Sequence, residues 1–300
     1  MVESGGISRG AGFVGVDGGG TSCRVALEWH GQRTDVVLGG ANVATDFHGA
    51  TKLIREGLDA VAAQAGLSDD QLWACPAYLG LAGVLDEADA EAVAKALPLK
   101  AAVVEDDRRA TVIGALGHAD GTVAGVGTGS FLARRSGACL RLVGGWGIRL
   151  GDEASGAWLG RRLLASVLEV VDGLQDETGL TESVFRKFGR SPREIVAFSL
   201  NADPAELAGF APLIIEAAKA GDLIGRTLMR EGSNYLVRTM VVLGWQDREP
   251  ICLIGGIAPH YQEYLPKSFV HAMVPAEGTA LDGALQLATD MAKRKDQSVP

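Results

Sequence analysis

The stretch Phe13-Val14-Gly15-Val16-Asp17-Gly18-Gly19-Gly20-Thr21-Ser22-Cys23-Arg24-Val25-Ala26-Leu27 decides how the rest of the chain is read. An apolar run ends in one acid, three glycines and a hydroxyl, and a second alternating run follows. Consecutive glycines carry no Cβ, so the backbone can turn tightly and come close to a ligand. The amides of such a turn point the same way and form a nest for an anion. Gly18, Gly19, Gly20 and Thr21 are therefore candidates for holding phosphates. Asp17, at the strand end, has the charge and reach to hold a hydrated Mg2+ beside them. A glycine-rich hairpin of purely structural purpose has the same composition. The stretch alone leaves both readings open.

A chain of 300 residues is long enough for about two domains, each burying a core of its own. It is 47% apolar and 22% charged, the usage of an ordinary globular protein. A formal net charge of −9 makes the surface repel polyanions, so neither nucleic acid nor an anionic membrane is expected as a partner. Residues 1–12 lack a basic segment followed by an apolar core and read as a flexible leader, and no run of 18 apolar residues occurs. The expectation is a cytoplasmic protein. Cys23, Cys75, Cys139 and Cys252 are scattered without a CxxC pair, which fits reduced thiols rather than zinc, a disulfide framework or a redox motif.

Period-2 runs at 13–17, 22–29 and 34–38 read as three antiparallel strands. A helix follows over 46–65, then a strand over 77–82, a helix over 86–97, a strand over 101–104 and a helix over 108–116, giving the order βββαβαβα. The pattern restarts with a strand over 122–126 that runs into Gly127-Thr128-Gly129-Ser130, then strands over 131–135 and 139–143. Duplication is the economical explanation. Later come a helix over 152–171, a helix-rich region over 181–244, strands over 250–254 and 269–274, and a closing helix over 278–291. The expected fold is α/β, with domains over 13–118 and 119–300 and the last helix able to pack back on the first. This order resembles the ribonuclease H-like, actin-like ATPase and sugar-kinase superfamily, in which two such domains flank a cleft and grip a nucleotide's phosphates from both sides. No G-x-x-x-x-G-K-[ST] occurs, so a P-loop is not expected. Gly125-Val-Gly127-Thr-Gly129 lacks the third glycine and the following helix of a dinucleotide fingerprint.

A second stretch, Gly144-Gly145-Trp146-Gly147-Ile148-Arg149-Leu150-Gly151-Asp152-Glu153-Ala154, pairs exposed backbone amides with two carboxylates. Ionised carboxylates accept the strong hydrogen bonds with which sugar hydroxyls are recognised. Asp152 as a helix cap and Glu153 as a first-turn acid would explain the same pattern structurally. Ala154 stands where a positive φ would strain it by about 1–2 kcal/mol, so the helix is expected to have begun by this point.

Asp17-Gly-Gly-Gly-Thr21, Gly127-Thr-Gly-Ser130 and Gly145-Trp-Gly147 with Gly151-Asp-Glu153 together resemble the N-acetylglucosamine kinase and bacterial glucosamine kinase branch of the BadF/BadG/BcrA/BcrD ATPase family. The resemblance spans about Phe13 to Ala288. It implies ATP and Mg2+ as cofactors and transfer of the γ-phosphoryl group to the 6-hydroxyl of N-acetylglucosamine or glucosamine. By the same resemblance Asn42, Gly129, Ser130, Gly145, Trp146, Gly147 and Asp152 contact sugar, Thr21, Thr128 and Gly129 contact phosphates, and Gly209, Gly255 and Gly256 hold the nucleoside. It also implies a homodimer.

The family's catalytic carboxylate lies at a central strand end, followed four residues later by alanine. Asp106 with Ala110 matches that spacing and is the expected base, with Asp107 the competitor whose other role would be to cap the next helix. Adjacent strand side chains face opposite ways, so only one of two neighbouring acids can face the substrate. Asp107, Arg108 and Arg109 depart from the small residues common there. Two other readings share the fold: an activator ATPase with a shared iron–sulfur cluster, which would need suitably placed cysteine thiolates, and a sugar-responsive binding protein without turnover.

Overall fold

The computed structural model describes residues 12–297, and the leader expected over 1–12 lies, but for Gly12, outside them. The chain divides into two compact units, one ending at His118 and resuming at Ala276, the other Ala119–Pro275.

The first unit opens with strands β1 (Phe13–Gly18), β2 (Cys23–Trp29) and β3 (Gln32–Leu38), followed by helices α1 (Phe47–Ala65) and α2 (Asp69–Ala74). Strand β4 (Ala77–Leu81), helix α3 (Glu87–Ala96), strand β5 (Ala102–Glu105) and helix α4 (Asp107–Leu116) complete the pattern. The sheet order is β3-β2-β1-β4-β5, antiparallel among the first three strands and parallel from β1 through β5. Helix α1 starts where the Asp46 side chain accepts from Gly49 N and stops at Gly66, whose φ of 69° only glycine adopts freely. Its buried Ile54, Leu58 and Val61 join Val14, Val16, Val25, Leu27 and Leu79 in one core.

The second unit repeats the opening with β6 (Gly121–Val126), β7 (Ser130–Ser136) and β8 (Cys139–Gly144). Helices α5 (Gly156–Val171), α6 (Gly179–Lys187), α7 (Pro192–Asn201), α8 (Pro204–Ala208), α9 (Ala211–Lys219) and α10 (Leu223–Leu243) follow. Strand β9 (Ile251–Ile254) then lies parallel to β6, giving the order β8-β7-β6-β9, and a 3-10 turn covers Ala258–Tyr264.

The strand expected over 269–274 is instead helix α11 (Lys267–His271), after which Met273 makes a single parallel bridge to Ile251. Helical spacing buries Phe269 and Ala272 together and leaves His271 exposed, whereas alternation would have turned His271 inward with Phe269. Phe269 stacks on Trp245 at 4.2 Å. Among the described residues, no helix is long and apolar enough to cross a membrane.

The last helix, α12 (Ala280–Gln297), belongs to the first unit and packs on β1 and α4. Its approach to α4 leaves no room for side chains: a Cβ on Gly114 would run into the Thr279 carbonyl, and one on Gly283 into the Ala110 carbonyl. Gly114→Ala is expected to cost about 1–3 kcal/mol by overpacking, more than the roughly 1 kcal/mol that alanine gains in helix propensity. Urea unfolding would register a lowered midpoint; an unchanged or raised one would contradict this packing.

Candidate active site

Strand register positions the acids of the first unit. Asp17 of β1 lies beside Gly80 of β4, and Gly80 beside Glu105 of β5, so the three parallel strands end at one level. Three backbone bonds tie the glycine turn to its neighbours: Gly19 N donates to Ser22 O (2.9 Å), Ala41 N to Gly19 O (2.9 Å), and Ala82 N to Gly18 O (2.7 Å). Gly20 and Thr21 remain exposed at its tip. Asn42 follows directly on Ala41, so the asparagine lies on the loop bonded to the turn. Its Oδ1 accepts from Ala44 N (3.0 Å) and Thr45 N (3.3 Å).

Asp17 is 9% exposed and sits opposite Arg24 across the hairpin, whose Nη1 donates to Oδ2 at 3.0 Å. Burial pushes the Asp17 carboxyl up, and Arg24 pulls it partly back.

The three consecutive acids after β5 separate cleanly. Glu105 accepts from the Tyr78 hydroxyl (2.7 Å) and from Arg109 Nη1 (3.1 Å). Asp106 caps α4, its Oδ1 accepting from Arg108 N (2.9 Å) and Nε (2.8 Å) and its Oδ2 from Arg108 Nη2 (3.0 Å). Burial works to raise the Asp106 carboxyl, but the bonds and charge of Arg108 outweigh it and hold the group below the ordinary carboxylate range. The cap role considered for Asp107 thus falls to Asp106. Asp107 opens the helix instead, and burial, aided by the charges of Asp106 and Asp17, pushes it up to about 6. The Asp106 side chain is 29% exposed.

In the second unit the turn after β6 closes with Gly127 N donating to Gly129 O (2.9 Å). Its carbonyls receive the first amides of α5, Gly156 N to Gly127 O (2.8 Å) and Ala157 N to Thr128 O (3.2 Å). Asp152, 7% exposed, accepts backbone bonds from Ser130 and Gly147, linking this turn to the Gly145–Gly147 loop. A Cβ on Gly129 would sit 2.9 Å from Asp152 Oδ2, so glycine is what lets the carboxylate in. Burial raises the Asp152 carboxyl and the two amides draw it back.

Neither Asp152 nor Ala154 is helical: their φ values are 59° and 70°. The helix expected from 152 begins at Gly156, with Ser155 Oγ accepting from Trp158 N at 3.1 Å as the cap. Ala154 bears the strain that a helical start would have spared it. Two bonds hold the segment, from Ser130 Oγ to Glu153 O (2.6 Å) and from the buried Tyr261 hydroxyl to Ala154 O (2.7 Å).

The remaining candidates surround the same turn. A Cβ on Gly255 would meet Val126 O at 2.5 Å and Gly127 N at 3.1 Å, while Ala208, next to Gly209, packs where a Cβ of Gly156 would stand, beside the Gly127 carbonyl. Thr128, Gly145, Gly209, Gly255 and Gly256 are all exposed, and Trp146 stands 76% exposed rather than inside the cluster. Sequence reasoning missed Arg24, Arg108 and Tyr261. Arg24 was within reach, because a turn over 19–22 puts residue 17 opposite 24; Tyr261 was not, lying 107 residues from its partner.

Among the described residues no group of three or more His, Cys, Asp or Glu side chains forms a metal cage. Mg2+ is held by one or two carboxylates plus phosphate oxygens rather than by an all-protein cage, so the oxygen donor Asp17 fits that ion.

The chain matches the family model for BadF/BadG/BcrA/BcrD ATPases over residues 14–276. It is 31% identical to glucosamine kinase GspK of Vibrio cholerae over 282 residues, covering 92% of this chain and 95% of that protein. Among solved structures, a Chromobacterium violaceum protein assigned as an N-acetylglucosamine kinase superposes with a TM-score of 0.82 at 30% identity, covering 93% of this chain and 99% of that one. A ROK-family glucokinase from Streptomyces griseus, solved with glucose and AMPPNP, shares the fold at a TM-score of 0.55 and 17% identity, covering 93% and 100%. The expected α/β fold of actin-like ATPases and sugar kinases is the one these likenesses show. With the model matched over nearly its whole length, the chain belongs to the BadF/BadG/BcrA/BcrD ATPase family.

Proposed function

We propose that this chain is an ATP-dependent amino-sugar kinase that passes the γ-phosphoryl group to the 6-hydroxyl of N-acetylglucosamine or glucosamine, yielding ADP and the sugar 6-phosphate. The observation that carries the reading is Asp152: a buried carboxylate, positioned by the amides of Ser130 and Gly147, at the sugar-side motif of a chain akin to amino-sugar kinases. Carboxylate oxygens fixed in this way accept hydroxyl hydrogen bonds without reorganising. Asn42, Ser130, Gly145, Trp146 and Gly147 complete the sugar contacts in this reading.

Phosphoryl transfer asks the protein for alignment and charge stabilisation, because the transition state is loose and its charge spreads over the phosphoryl oxygens. Asp106 orients the 6-hydroxyl and takes its proton late. The amides of Gly18, Gly19, Gly20 and Thr21 and those of Thr128 and Gly129 bind phosphate oxygens, while Gly209, Gly255 and Gly256 leave room for the nucleoside. Asp17 would hold Mg2+, which when bound neutralises charge on the phosphates.

An activator carrying an iron–sulfur cluster is disfavoured by its ligands. Cys23, Cys75 and Cys252 are buried and only Cys139 is exposed, so a single thiol is placed to meet a cluster shared at a subunit surface.

A coupled assay of ADP release with N-acetylglucosamine, glucosamine, glucose and N-acetylmannosamine tests the proposal. One of the first two should exceed glucose in kcat/KM by about tenfold or more, the discrimination expected when a built polar contact is satisfied. ADP release indifferent to sugar, or binding without release, would contradict it. Asp106→Asn should lower kcat by about 10²–10⁴ with a much smaller change in sugar KM, the signature of lost proton transfer. Equal kcat in the variant would remove Asp106 from the mechanism.

Asp107 has a pH signature of its own. Its folded-state value of about 6 lies above the unfolded 3.8, so the protonated form is favoured by folding. The stability this group lends is complete below the unfolded value and is lost as pH rises through about 6. Asp107→Asn should therefore raise the Tm of the ligand-free protein by about 2 °C or more at pH 8 and leave it nearly unchanged at pH 4. A Tm difference independent of pH would contradict the burial of this carboxylate.

A further inference from the structure

We propose that Arg108 gates the catalytic base: its guanidinium occupies both carboxylate oxygens of Asp106 until a sugar hydroxyl displaces it, which holds down ATP hydrolysis in the absence of sugar. The inference rests on the kinase reading above and concerns a residue that departs from the small side chains common at this place.

The geometry is that of a closed fork. A carboxylate has about four lone-pair sites. Three bonds from Arg108 take up three of them, from its backbone N (2.9 Å), Nε (2.8 Å) and Nη2 (3.0 Å). A base so engaged has little capacity left to take a proton from water, and Arg108 further holds its carboxyl below the usual range. Arg109, one residue on, is turned to Glu105 at 3.1 Å and takes no such part.

The fork is also weak enough to open. The two side chains are 26% and 29% exposed, and partly exposed ion pairs contribute little. A hexose anchored through several hydroxyls can supply more than that at Asp106, whereas a single water, anchored by nothing else, cannot. Size alone does not keep water away from an ATP-binding site, so a kinase needs some such discrimination. Once released, the guanidinium keeps its charge and its two-pronged geometry, which suits phosphate oxygens.

The step being suppressed is hydrolysis. Water oxygen forms a bond to the γ-phosphorus as the bond to the bridging oxygen of ADP breaks, and the water proton passes to the Asp106 carboxylate. With sugar bound, the 6-oxygen takes the place of water, and the proton follows the same route. Arg108 is therefore a positioning residue, acting through Asp106.

The test compares ADP release by the full chain, with ATP alone and with saturating amino sugar, in the wild type, Arg108→Ala and Arg108→Lys. Arg108→Ala should raise the sugar-independent rate about tenfold, the equivalent of one lost charged contact. The sugar-dependent kcat should stay level or fall, so the ratio of the two rates collapses. Arg108→Lys, which can pair but not fork, should lie between and keeps the test decisive if the alanine variant fails to fold. A gain in a reaction rate is not what structural damage produces. Folded variants whose sugar-independent rate equals or falls below the wild type overturn the gate. A wild-type chain that phosphorylates no sugar sinks the kinase reading and the gate together, and that outcome shows in the wild-type arm alone.

Discussion

Everything at the strand-end edge of the first unit depends on negative charge gathered where parallel strands stop. The register that puts Asp17, Gly80 and Glu105 level leaves Asp106 and Asp107 just beyond, and the charges of Asp17 and Asp106 both act on Asp107. Such a gathering is costly without counter-charge. Arg24 answers Asp17 and Arg108 answers Asp106, each through side-chain bonds of about 3 Å or less. Asp107, buried and facing the charges of Asp106 and Asp17, takes up the remaining cost as a raised affinity for a proton. The same accumulation of negative charge suits the cation that the proposed function would bring here with a nucleotide.

The second unit spends backbone strain rather than charge. Two residues at positive φ, Asp152 and Ala154, are held by bonds from distant segments, Ser130 and Tyr261 among them. Strain of this kind persists only where the surroundings over-determine it, and it gathers at ligand sites. Here it aims the Asp152 carboxylate at the amides of Ser130 and Gly147, fusing two glycine loops into one surface. The helix start at Gly156 is displaced by the same arrangement.

Local signals made much of this legible beforehand. The two glycine turns, the three-strand openings that precede each helical layer and the carboxylate at the end of β5 are written in short windows of alternating or glycine-rich sequence. Three kinds of feature were not. The run 269–274 fits strand or helix equally well by composition, and only the need to bury Phe269 and Ala272 while exposing His271 decides it. The backbone at Glu153 and Ala154 is set by partners 23 and 107 residues away, which no window contains. The division of labour among Glu105, Asp106 and Asp107 depends on which arginine reaches which acid, a matter of side-chain packing beyond the reach of spacing.

The central proposal is that both glycine turns bind nucleotide while the Asp152 loop binds sugar. Hydrogen–deuterium exchange tests it most directly, following the amides of residues 18–21, 127–129 and 145–152 as a non-hydrolysable ATP analogue with Mg2+, and then an amino sugar, are added. The account expects both turns to gain protection along one nucleotide saturation curve, with 145–152 responding to sugar. Protection confined to a single turn, or saturation of the two at different nucleotide concentrations, would contradict it.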